Sequence, residues 1–216
     1  LRRQIERARS ENRPIIAVIS VAGTTELGDF DPIHEVSDLL EEYSKKGIHL
    51  WHHVDAAYGG PAAKVEGISD LFKGIEKADS VVVNPHKWLY VPFEAGGALV
   101  KNPDHLRKTF STIPDYLKSD EQNGARTDLM EYNLPLTKEF KALKVWMTIK
   151  AFGATRLREE IASDIDKATY LSELVDSDEN LELMAPVPLS IVCFRYNSGE
   201  MEESALNKLN DQIIQE

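Results

Sequence analysis

The 216-residue chain is 42% hydrophobic, enough for one large domain or one and a half with a real core. Its formal charge of −11, with basic residues scattered except over 1–13, argues against a nucleic-acid partner, because phosphate binding depends on clustered lysine and arginine. No apolar run is long enough to cross a bilayer, and the single cysteine, Cys193, excludes an internal disulfide and suits a reducing, cytoplasmic location.

In chain order, residues 1–13 read as an amphipathic helix whose basic face is interrupted by Glu6 and Glu11, which weakens a targeting role. A strand is expected over 14–22, a helix over 33–46, a strand over 49–54, a short helix near 68–74 and a strand over 80–83. Strands separated by helical segments argue for parallel pairing. The run 97–100 follows too soon after 88–96 for a crossover helix, so antiparallel pairing, or pairing elsewhere, is expected. Residues 104–110 look helical, and 111–133 form a polar stretch long enough for a functional or disordered loop. From Pro135, Leu136, Phe140, Leu143 and Met147 recur at helical spacing and predict one apolar stripe, on a helix that Gly153 ends. A second helix is expected over 154–175, then strands over 181–184 and 190–196, with Cys193 in the core, and a helix over 201–214. A domain boundary is expected near 151–153. The chain starts without methionine and stops within a helical pattern, so it reads as a piece of a longer protein.

Two segments carry the chemistry. Ser80-Val81-Val82-Val83-Asn84-Pro85-His86-Lys87-Trp88 ends an apolar strand with a lysine, and a poorly solvated lysine loses its proton more readily and becomes a nucleophile toward an aldehyde. The bland alternative is a solvated lysine at the end of an element. Upstream, His52-His53-Val54-Asp55-Ala56-Ala57-Tyr58-Gly59-Gly60 brings a carboxylate to a strand end. Alternation puts His53 and Asp55 on one face and His52 and Val54 on the other, so His53 is expected to steady Asp55. In open α/β sheets ligands bind outside the carboxyl ends of strands, where Asp55 and Lys87 both fall. An aspartate facing a pyridine nitrogen keeps it protonated while a lysine holds the aldehyde, a pairing that makes chemical sense with pyridoxal phosphate (PLP).

These segments, with Ala22-Gly23-Thr24-Thr25-Glu26-Leu27-Gly28-Asp29-Phe30-Asp31-Pro32 before them, resemble in order and spacing the three signatures of the group II pyridoxal-dependent amino-acid decarboxylases, closest to the aromatic-L-amino-acid branch. The resemblance runs over almost the whole chain. It implies a fold type I PLP-dependent transferase-like α/β fold, with a mostly parallel sheet flanked by helices, plus part of a small α+β domain. Residues 1–152 would close the large PLP-binding domain and 153–216 would start the small one. It further implies that Lys87 forms the Schiff base and Asp55 pairs with the pyridine nitrogen. Thr25 would lie near the phenolic oxygen and substrate, Asn84 and His86 would help hold the phosphate, and His53 would line the pocket. Pro114-Asp115-Tyr116-Leu117-Lys118 resembles the family's catalytic loop, with Tyr116 as proton donor; a phenylalanine there goes with aldehyde-forming chemistry, so the tyrosine implies simple decarboxylation. Without the resemblance, Tyr116 reads as an ordinary loop aromatic.

The implied activity is decarboxylation of an L-amino acid, aromatic by overall likeness, to the amine and carbon dioxide, by a homodimer without a metal. A preference for an acidic or other amino acid is the alternative within the family. The missing flanks would make this piece alone inactive. A rival from another class is a metal-dependent hydrolase with His53, Asp55 and His86 as ligands, which leaves Lys87 and the Gly23-Thr24-Thr25 loop unexplained. A non-catalytic binding module is a third. Trp88 reads as packing that fixes the Lys87 backbone or as a border of the substrate pocket, and Gly59-Gly60 and Gly96-Gly97 read as turns.

Overall fold

The computed structural model describes residues 1–110 and 129–215. Helix α1 (Arg2–Ser10) precedes β1 (Ala17–Val21), α2 (Ile33–Lys45) and β2 (Trp51–Asp55). After β2 the chain makes three short 3-10 turns before β3 (Ser80–Val83), and β4 (Gly97–Val100) and α3 (Pro103–Phe110) follow. Beyond residue 128 come α4 (Lys141–Phe152), α5 (Ala154–Asp176), the strands β5 (Leu181–Leu183) and β6 (Phe194–Tyr196), and α6 (Glu203–Gln215). One sheet has the order β1-β2-β3-β4, with β1, β2 and β3 parallel and β4 antiparallel; β5 and β6 form an antiparallel pair. The antiparallel placement of 97–100 agrees with the shortness of its connection.

The two faces of the sheet differ as the alternation in β2 requires. His52 and Val54 are buried, and Asp55 lies opposite Val21 of β1 and Val82 of β3 on the other face. Val18 and the inner residues of α2, Leu40 and Tyr43, close one cluster. The larger cluster joins Ala22, Val54 and Ala56 at the strand ends to Trp88, to Ile161 of α5 and to Leu189. Helix α5 enters it because Leu157, Ile161, Ala168 and Val175 fall on one face at helical spacing. This core therefore takes residues from both sides of Gly153. The outer sheet face is barer: Ile19, in register with His53, is 63% exposed.

Two expectations change. The helix predicted from Pro135 begins only at Lys141; tight turns, with the Lys141 and Leu143 N–H groups donating to Glu139 and Phe140 carbonyls, occupy the approach. Leu136 and Phe140 thus lie outside it, and Leu143 and Met147 on it are exposed, so among the described residues the apolar stripe does not face a core. The second change concerns 190–196, where only Phe194–Tyr196 is a strand and Cys193 is half-buried.

His52 lies between two hydroxyls, with Nε2 3.0 Å from Ser20 Oγ and Nδ1 3.4 Å from Ser37 Oγ. Burial lowers its pKa, outweighing the opposing pull of Asp79, while His53 adds to the lowering. A group whose folded-state pKa lies below its unfolded value of about 6.5 stabilises the fold above that pH and loses the contribution as pH falls. Urea unfolding of the wild type and of His52→Gln at pH 7.5 and 5.5 checks this. The wild type should lose more stability on acidification than the variant; equal losses would remove His52 from the account.

Candidate active site

The site grows from the carboxyl ends of the three parallel strands. Beyond β1 the chain forms a tight loop in which the Gly23 and Thr24 N–H groups both donate to the Asp29 carbonyl at 3.0 Å. Thr24 Oγ1 accepts from the Asp29 N–H at 3.0 Å and the Gly28 N–H returns to the Thr24 carbonyl at 2.9 Å. Gly23 has φ of +96°, which a side chain at this position would resist, and Thr25 is left exposed at the loop's tip. Beyond β2, Gly59 runs hard against this loop: a Cβ there would stand 2.4 Å from the Ala22 carbonyl oxygen. The two loops therefore approach at backbone distance.

Asp55 closes β2. Its carbonyl accepts the Ala22 N–H at 2.8 Å, and its Oδ1 accepts the Ala57 N–H at 3.1 Å. The pairing continues past the strands, for the Ala56 N–H donates to Val82 and the Asn84 N–H to Ala57. This continuation starts the lysine turn beside the end of β2. Within it the Lys87 N–H donates to the Asn84 carbonyl at 2.9 Å and the Val91 N–H to the Pro85 carbonyl at 3.2 Å. Asp55 and Lys87 thus belong to the same edge of two adjacent parallel strands.

Lys87 opens onto a cleft of about 330 Å³ lined also by Thr25, Tyr58, Trp88 and Ile191. Tyr58 and Trp88 form its wall, stacked with ring centroids 4.8 Å apart and 15° between planes. Tyr58 Oη lies 2.5 Å from Ser190 Oγ and accepts the Ser190 N–H at 3.2 Å. Trp88 is buried, and its indole N–H donates to Asp164 Oδ2 on α5 at 3.0 Å.

Of the residues expected from the sequence, the cleft brings together Lys87 and Thr25. Asp55 and His53 share the outer face of β2 and are not in the cleft's lining. His53 Nδ1 is 2.7 Å from Ser80 Oγ, so the serine at the head of β3, not Asp55, is its partner. His86 turns Nδ1 to the Ala95 backbone, 2.6 Å from the carbonyl and 3.0 Å from the N–H, and its ring meets Phe93 edge-on. Asn84 Oδ1 packs against Gly96, where a Cβ would come within 2.9 Å of it. Tyr116 lies outside the described residues. With His53 and His86 so directed, the trio His53, Asp55 and His86 does not converge; among the described residues no three His, Cys, Asp or Glu side chains do. Sequence reading missed the roles of Tyr58, Ser190 and Asp164. A bulky aromatic next to the Gly59-Gly60 pair was the only local signal, and it does not name a partner 132 residues away.

The geometry agrees with the comparisons. Residues 1–197 match the family model described as "Pyridoxal-dependent decarboxylase conserved domain". An aromatic-L-amino-acid decarboxylase from Bacillus atrophaeus is 34% identical over the whole chain, which covers 44% of that protein, and a histidine decarboxylase from Rattus norvegicus is 35% identical over 97% of the chain, covering 31% of it. A crystal structure of Oryza sativa TDC with PLP and tryptamine superposes with a TM-score of 0.90 at 28% identity, over 99% of this chain and 44% of that one. The chain thus spans less than half the length of these relatives, and it has the expected type I PLP-enzyme fold, a mostly parallel sheet flanked by helices.

The backbone contact of the two loops is directly testable. Gly59→Ala should destabilise the protein by about 1–3 kcal/mol, the usual cost of forcing a methyl group into a filled space. Denaturant unfolding measures it, and an unchanged midpoint would mean the loops stand further apart.

Proposed function

Because the chain belongs to the pyridoxal-dependent decarboxylase family, we propose that the whole protein removes the carboxylate of an L-amino acid, an aromatic one, giving the amine and carbon dioxide. The observation that carries this reading is the placement of an amine, Lys87, and a carboxylate, Asp55, at the same end of neighbouring parallel strands, beside an aromatic-walled cleft. That donor set suits pyridoxal 5'-phosphate: a primary amine for the aldehyde, an acid for the ring nitrogen, and an open sheet face between flanking loops. When bound, the cofactor supplies a ring that takes up the electron pair left on the α-carbon as carbon dioxide departs.

The chain's own residues divide the remaining work. Lys87 would supply the amine that holds the cofactor's aldehyde and would yield that place to the substrate's amino group. Asp55 keeps a proton on the ring nitrogen, an electrostatic contribution aimed at the charge that develops during the reaction, not at the bound substrate. Its Oδ1 already accepts the Ala57 N–H, which restrains the carboxylate before any ligand arrives. Thr25, which lines the cleft with Lys87, would border the substrate and the cofactor's phenolic oxygen. Asn84, His86 and His53 complete the cofactor's surroundings, the first two from the lysine turn and the third from β2. Tyr116 delivers the proton that replaces the carboxylate on the α-carbon. Tyr58 and Trp88 offer a flat apolar wall, which suits an aromatic substrate better than a charged one.

The same reading takes 1–152 as the end of the large cofactor domain and 153–216 as the start of the small one. Gly153, with φ of +79°, is where α4 stops and α5 departs, and it supports a change of direction there. A homodimer in the cytoplasm completes the proposal. Exposed apolar residues on α4, among them Trp146 and Met147, suit coverage by the rest of the whole protein or by a second copy, and no helix of the described residues is long and apolar enough to cross a membrane.

The test is carbon dioxide release by the whole protein, loaded with PLP, across a panel of aromatic, acidic and basic L-amino acids. Aromatic substrates should give the highest kcat/KM; release from none of the panel would end the proposal. Lys87→Ala should bring turnover to background. Asp55→Ala should lower kcat by about 10²–10³-fold, the scale seen when one preorganised electrostatic partner is removed. An unfolding midpoint near that of the wild type would separate this loss from misfolding, whereas equal loss of activity and stability would make Asp55 structural.

A further inference from the structure

Two residues of the turn that carries Lys87 share one acceptor atom on α5. Trp88 Nε1 donates to Asp164 Oδ2 at 3.0 Å, and the hydroxyl of Tyr90 donates to the same oxygen. These two residues lie one and three positions beyond the lysine, so a carboxylate on α5 grips the turn immediately downstream of it. The other oxygen, Oδ1, accepts from Lys167 at 3.2 Å. Nearer the sheet, the turn is fixed by the Asn84 N–H on the Ala57 carbonyl and closed by the Val91 N–H on the Pro85 carbonyl. Tyr90 has a left-handed backbone, φ of +56°, a conformation that a residue with a bulky side chain adopts at a cost and keeps where its surroundings impose it. The bond from its hydroxyl to Asp164 is such a constraint.

The charge state of Asp164 fits the role. Partial burial works against its ionised form, but donation from Tyr90, Trp88 and Lys167 together outweighs that effect and holds the carboxyl below its ordinary range. Tyr90 moves the other way, upward, through burial and then through its bond to the carboxylate, so it stays a donor. Asp164 is therefore an anion with two fixed donors on one oxygen, and both donors belong to the lysine turn.

We propose that Asp164 is a positioning residue for Lys87: through Trp88 and Tyr90 it fixes the lysine turn and the aromatic wall beside it, and so couples the placement of α5 to the reacting amine. This role rests on the reading of Lys87 as the cofactor-holding residue. Trp88 links the two parts, since its indole N–H meets Asp164 while its ring stacks on Tyr58. Movement of α5 would then be felt at the cleft without any residue of the helix entering it.

The experiment uses the whole protein with Asp164→Ala, Asp164→Asn and, as a control for lost stability, Val175→Ala, which removes buried atoms further along α5 away from the turn. Hydrogen–deuterium exchange of the segment 86–91 in the PLP-free protein reads the clamp directly. Asp164→Ala should speed exchange there by about tenfold or more relative to Val175→Ala, since loss of a local tether lowers protection in that segment. In the PLP-loaded protein, Asp164→Ala should bind PLP about tenfold more weakly, followed by absorption titration, and lose kcat by about tenfold with KM within about twofold, as expected when geometry rather than substrate binding is disturbed. Asp164→Asn, which keeps an acceptor oxygen, should recover part of both. Exchange at 86–91 no faster than in Val175→Ala would overturn the positioning role alone. Equal losses of kcat and PLP affinity in the two alanine variants would do the same. A wild type that binds no PLP would overturn the reading of Lys87 and the positioning role together, an outcome the exchange data keep distinct from failure of the clamp.

Discussion

The parallel pairing of β2 with β3 is the constraint on which the rest of the structure depends. It sets Asp55 opposite Val82, and because the hydrogen bonding runs on through Ala56 to Val82 and Asn84 to Ala57, the lysine turn must begin where the aspartate ends. An antiparallel arrangement would have sent Asp55 and Lys87 to opposite ends of the strands. The close approach of Gly59 to the Ala22 carbonyl brings the β1 loop into the same corner, which is how Thr25 comes to line a cleft with Lys87.

Around that edge the molecule adds support from later in the chain. Leu189 is fully buried against the glycine loops, Ser190 meets the Tyr58 hydroxyl, and Asp164 receives Trp88 and Tyr90. The stacked pair of Tyr58 and Trp88 is thus tied at both ends to segments after Gly153. A site on loops alone would hold its lysine loosely; here the loops after β2 and β3 are fixed by backbone bonding at their bases and by distant side chains, Ser190 and Asp164.

Much of this was legible in the sequence. The strand at Ser80–Val83 and the antiparallel strand at Gly97–Val100 have the bounds their apolar runs predict, and the two faces of β2 follow from alternation. The placement of Lys87 and Asp55 at neighbouring strand ends was readable because a polar group closing an apolar run is a local pattern. The resemblance to decarboxylases matches the family now found. What stayed hidden is what depends on distance in the chain. Trp88 and Asp164 are 76 residues apart, and nothing in either segment names the other. Shared face pairs His53 with Asp55, yet its Nδ1 lies 2.7 Å from Ser80 Oγ on the neighbouring strand. The helix expected from Pro135 starts late for a related reason: periodicity records which residues are apolar but not whether a core waits for them, and Leu136 and Phe140 are exposed among the described residues.

The central claim is that Lys87 is the amine that bonds the cofactor's aldehyde. Reducing the PLP-loaded whole protein with borohydride and mapping its proteolytic peptides by mass spectrometry tests this in one step. The account predicts a single pyridoxyl-phosphate mass increment, located on Lys87. An increment on a different lysine, or none on any peptide, would contradict it.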